Sequence, residues 1–310
     1  MSSILILGLF ILAFYLADDL TYEFFIPTSL PQLAELESYW PYTSFILAML
    51  AFLLGGLIWN SRMVQAEVLI VEDYSQVYNF LMMGAIIYFS CPSLLLALGF
   101  LCITLSLNRI FSINKNTDTA YSNCFDAGLF VGMASFLVFP FILFLPFIWL
   151  SVLNLKNLGF KELLWSIIGF CSPYFILFML SILFDWNLDL LPSAFLSDLN
   201  FETHKNSELI IFYCLSLLAC LLGYFILSKE INKSSIRFKV TMNTLMVFFI
   251  FNLVFTSILV GLNGFSTIVI FFFFLMPFFW HCVQSSRKRY VLKTLFYVCW
   301  VLSILNVILR

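Results

Sequence analysis

Asp18 and Asp19 stand side by side where the first apolar run, residues 3–17, gives way to a polar stretch. Two adjacent carboxylates between hydrocarbon and water can hold a divalent cation or act as a base, which makes them the candidate catalytic acids of this chain. The same pair also suits the plain end of an apolar helix, since ionised side chains are excluded from hydrocarbon. A second polar stretch, from Asp185 to Glu208, carries His204 beside Lys205. These two are candidate substrate-binding residues for a lipid phosphate, against the reading that they are ordinary solvated loop charges. Asp126, at the mouth of the apolar run 125–139, is the carboxylate placed to enter a membrane, where acids tend to be functional. Its position two residues after Cys124 equally suits a helix cap or a first-turn acid.

Other chemistry lacks the residues it needs. The chain contains no Walker loop, no G-x-S-x-G, no H-E-x-x-H and no dinucleotide fingerprint. His204 and His281 are its two histidines, too few for a multi-histidine iron site. Its eight cysteines form no C-x-x-C pair and lie in or beside apolar runs. They read as small buried hydrophobes rather than as disulfides or metal ligands. No metal and no cofactor is expected. Asn79, Asn252, Asn263, Asn306 and His281 are suited to hydrogen bonds between spans.

The elements that must position these residues follow from composition. Hydrophobic residues make up 63% of the 310, charged residues 10%, and the mean hydropathy is +1.04. Soluble domains carry about 25% charged residues, so the chain reads as an all-α, polytopic transmembrane helical bundle forming one domain over residues 1–310. About eleven apolar spans are expected, at 3–17, 43–59, 76–91, 93–111, 125–139, 141–155, 163–184, 209–227, 242–260, 266–281 and 294–309. Two pairs of short runs are broken near Pro92 and Pro140, each a tight hairpin or a re-entrant pair. Their similarity is open to two readings, an internal duplication or the alternation any polytopic chain shows.

Lysine and arginine cluster in alternate connections: Arg62, Arg109 and Lys115, Lys156 and Lys161, Lys229 to Lys239, and Arg287 to Lys293. Acids dominate the opposite ones, at Asp18 to Glu37 and Asp185 to Glu208. The positive-inside rule then puts the N-terminus in the cytoplasm and the C-terminus outside. Topology accounts for the basic runs, so nucleic acid is not an expected partner.

The stretches SLLLALGFLCITLSLNRIFSIN from Ser93, CFDAGLFVGMASFLVFP from Cys124, and Phe272 to Lys293 resemble an uncharacterised membrane family of Bacteroidota. The resemblance implies a bacterial inner-membrane location. Some members of that family bear the label beta-carotene monooxygenase, which implies an iron centre that this chain's two histidines do not supply.

Three functions are open. The leading expectation is a non-catalytic subunit or accessory of a cell-envelope assembly or secretion process, with the lipid bilayer and envelope proteins as partners. One alternative is a lipid-linked glycosyltransferase similar in layout to the GT-C enzymes, with Asp18 or Asp19 as base or metal ligand and a polyprenyl-linked lipid held by His204 and Lys205. The other is a transporter, suggested by the short broken helices.

Overall fold

A computed structural model describes residues 41–65, 94–113, 120–155 and 160–184, together with Val77, Phe80, Leu81, Gly84, Phe238, Lys239, Thr241, Asn243, Thr244 and Val247. Among the described residues the elements are α1 (Pro41–Gln65), α2 (Leu94–Ser112), α3 (Ala120–Leu137), a 3-10 turn (Phe139–Leu143), α4 (Phe144–Leu155) and α5 (Phe160–Phe184), with no strand. Three of them, over Tyr42–Gln65, Leu94–Ser112 and Phe160–Leu180, are long and apolar enough to cross a bilayer. This places the chain among membrane proteins built of helices. The spans expected at 3–17, 209–227, 266–281 and 294–309, and most of 76–91 and 242–260, lie outside the described residues.

Helix boundaries differ from the apolar runs in an instructive way. α1 continues to Gln65, six residues past the run that ends at residue 59, and so takes in Arg62. A long side chain with a charged tip can keep its stem along an apolar helix and its head in the interface. α3 begins at Ala120, five residues ahead of the run at 125–139, so Asp126 sits in its second turn and no acid occupies the first. The cap and first-turn readings of Asp126 therefore do not apply. Hydropathy marks where lipid begins, whereas backbone hydrogen bonds decide where a helix begins.

The break expected at Pro140 is present. Val138 is extended, with φ −141° and ψ 105°, and Pro140 lies in the first turn of the 3-10 segment. Proline has no N–H to give to the carbonyl four residues back, so it cannot continue α3, whereas the first turn of a new helix accommodates it. α4, 12 residues long, then extends only about 18 Å, short of the ~30 Å hydrocarbon core.

α1 and α2 pack in parallel, with Phe52 in the middle of α1 against Phe100 and, farther along both helices, Trp59 against Phe111, ring centroids 6.1 and 5.9 Å apart. α3 returns antiparallel to α2, and α5 runs parallel to α3 along its most extensive contact. The aromatic core continues from Phe100 to Phe141 and Phe144 at centroid spacings of 5.4 and 5.8 Å. Gly99 of α2 leaves the space that the Phe141 ring fills, which docks the 3-10 turn onto the bundle.

Candidate functional site

α3 is less apolar than α2, α4 and α5, the helices packed against it. Its buried face is built of small and polar residues: Ala120, Asn123, Cys124, Ala127, Gly128, Val131, Gly132, Ala134 and Ser135. Gly128 and Gly132, four apart, let α5 approach so closely that a Cβ at position 128 would strike the Ser166 carbonyl, and one at 132 would lie 2.5 Å from that of Phe170. Gly169 of α5 reciprocates against the Phe125 carbonyl. Small residues at this spacing are how helices attract one another in lipid, where apolar burial gives no net drive and close backbone contact must supply it.

Hydroxyl groups tie the same helices together. Tyr174 of α5 and Ser135 of α3 are 2.8 Å apart, and Ser135 donates its one proton to the Gly132 carbonyl at 2.9 Å, so the tyrosine is the donor between them. Trp149 of α4 donates to Ser166 Oγ at 2.9 Å, which in turn donates to the Leu163 carbonyl at 2.8 Å. Between α2 and α3, buried Ser106 donates to the Ala127 carbonyl at 3.0 Å.

One turn beyond Ser106 the charged pair appears. Arg109 Nε lies 3.4 Å from Asp126 Oδ2, with 46% and 31% of the two side chains exposed. The Asp126 carboxylate thus meets a cation from the neighbouring helix at the end of the bundle where α2 closes and α3 opens. Beside it, between the last turns of α1 and α2, runs an open groove of about 470 Å³. Its polar lining is Ser61, Arg62 and Gln65 from α1 with Asn108, Arg109 and Ser112 from α2. Arg62 donates from an Nη to Gln65 Oε1 at 2.7 Å, while its Nε is buried without a hydrogen-bond partner.

No family model, no curated protein and no solved structure matches this chain.

Of the residues singled out by sequence, Asp126 is described, and it is brought to Arg109. Asp18, Asp19, His204 and Lys205 lie outside the described residues. The α3–α5 seam and the arginine groove did not emerge from the reading of apolar runs. The G-x-x-x-G of Gly128 and Gly132 is the signal that points to the first. The groove depends on two helices from separate parts of the chain ending side by side, which no local pattern announces.

Proposed function

We propose that this protein is a non-catalytic integral subunit of a cell-envelope assembly or secretion process in a bacterial inner membrane, its N-terminus cytoplasmic and its C-terminus periplasmic. The observation that carries the reading is the pairing of Asp126 with Arg109. The one acid of the described helices that lies beyond a first turn is paired with a cation of the neighbouring helix. The interhelical bonds of Ser106, Ser135, Tyr174, Trp149 and Ser166 follow the same pattern. Polar groups spent on each other fix a shape, and a fixed membrane shape is what a partner protein binds. The inner-membrane location draws on the family resemblance and on the alternation of basic and acidic connections.

The test is co-purification of the tagged protein from native membranes in mild detergent, with mass spectrometry of what accompanies it. At least one envelope protein in near-equal amount is the expected result, and a chain recovered with no protein above the untagged control overturns the proposal.

A transporter is the second reading, favoured by the extended Val138 and the short α4 that follows it, since interrupted helices place exposed backbone at binding depth in transporters. The glycosyltransferase reading rests on Asp18, Asp19, His204 and Lys205 from the sequence, with a polyprenyl-linked lipid as the implied substrate.

A further inference from the structure

We infer that the groove between the last turns of α1 and α2 binds the phosphodiester headgroup of an anionic phospholipid, with Arg62 and Arg109 as its two cations. Basic side chains near a helix C-terminus are favoured by the carbonyl ends alone. That role does not use the whole of Arg62: its Nε is buried without an acceptor and Gln65 holds one Nη at 2.7 Å, so the donors left for the groove are those of the Nη groups. A guanidinium held on one side in this way keeps donors for a ligand, and its planar fork matches two oxygens of one phosphate.

Charge and shape narrow the occupant. Among the described residues, Arg62 and Arg109 contribute two positive charges and Asp126 removes one, leaving a net single positive charge at the groove. One phosphodiester balances it, and the ammonium of a zwitterionic headgroup would add a charge with no unpaired acid to meet it among the described residues. Ser61, Asn108 and Ser112 supply further hydrogen-bonding groups for a glycerol or a phosphate oxygen. Leu57 and Ile58 continue the wall toward the apolar body of α1, which suits the start of an acyl chain. The bilayer presents that combination of phosphate and alkyl chain at the depth where two apolar helices end.

The site stands apart from the subunit proposal, so either can fail without the other. To test it, full-length protein is placed in nanodiscs of equal phosphatidylglycerol and phosphatidylcholine, and the lipids it keeps on ejection are counted by native mass spectrometry. The wild type is expected to retain phosphatidylglycerol about tenfold over phosphatidylcholine, the loss of one charge-assisted contact in R62Q returning the ratio to that of the disc. D126N, which keeps both guanidinium groups while neutralising their acidic neighbour, is expected to keep the preference, and helical content with a single elution peak verifies that each variant is folded. Equal retention of both lipids by the wild type overturns the inference, as does an unchanged ratio in R62Q. Loss of the preference in D126N to the same extent as in R62Q also overturns it, because the selectivity would then follow the integrity of the helix ends. Protection of the detergent-solubilised protein by inorganic phosphate without any lipid preference assigns the groove to a soluble anion and overturns the lipid.

Discussion

Ser172 shows how single residues repair what the sequence breaks. Pro173 lies inside α5, where it has no N–H for the Gly169 carbonyl and its ring crowds that oxygen. Ser172 donates its hydroxyl to Gly169 at 2.8 Å, so the freed acceptor is satisfied within the helix and α5 continues to Phe184. Serine next to proline restores orphaned backbone groups in this way where no water is at hand. S172A is expected to lower the thermal unfolding midpoint in detergent by an amount equivalent to about 1 kcal/mol, whereas S172T, which keeps the hydroxyl, stays near the wild type. Equal losses in both would show that the hydroxyl is not the group that matters. At the same scale, Asp126 was legible as an acid at the mouth of an apolar run but not as half of a pair, since Arg109 lies 17 residues earlier, across a helix reversal.

Among the elements, α3 and α5 divide the work between inside and outside. Only 17% of the best apolar window of α5 is buried, against 61% for α2, and Phe175, Ile176, Ile182 and Leu183 are among its exposed side chains. α5 is held to the bundle chiefly along the strip containing Ser166, Gly169, Phe170 and Tyr174. The consequence is a contrast between glycines. In G128A the new methyl meets the Ser166 backbone carbonyl, which cannot rotate away. In G55A it meets the Phe80 ring at 3.2 Å and Thr104 Oγ1 at 3.3 Å, side chains that can yield by a few tenths of an ångström. Overpacking costs about 1–3 kcal/mol, and replacing a helical glycine returns up to about 1 kcal/mol. On that balance G128A is expected to be destabilised by about 2 kcal/mol, and G55A to remain within about 1 kcal/mol of the wild type. Matching thermal melts for the two variants would contradict the close backbone seam. The apolar runs revealed these helices to within a few residues, but hydropathy weighs Gly128 and Gly132 as mildly polar interruptions and so hides the contact that orders the bundle.

Over the whole molecule, three basic positions gather at one end. Arg62 and Arg109 share the groove, and the register of α3 with α5, Gly128 at Ser166 and Gly132 at Phe170, brings Lys161 at the start of α5 to the end where α3 begins. These three are among the basic positions that the sequence places in alternate connections, whereas the acidic connections at Asp18 to Glu37 and Asp185 to Glu208 lie outside the described residues. The gathering of these basic positions was readable from sequence, while the assembly of the helices was not, since it depends on glycine contacts and an ion pair between distant segments.

The central claim is that polar groups in this bundle maintain its shape and perform no chemistry, and Asp126 is where the two possibilities separate. The side-chain amide introduced by D126N still offers an oxygen to Arg109 but cannot carry a titratable proton or a negative charge. The most direct measurement is complementation of a deletion strain by D126N, read as the surface-glycan and secreted-protein profile at matched membrane levels of the protein. The account predicts that D126N restores the wild-type profile. A D126N protein that accumulates normally and leaves the deletion profile unchanged would contradict it, and would make Asp126 a working acid.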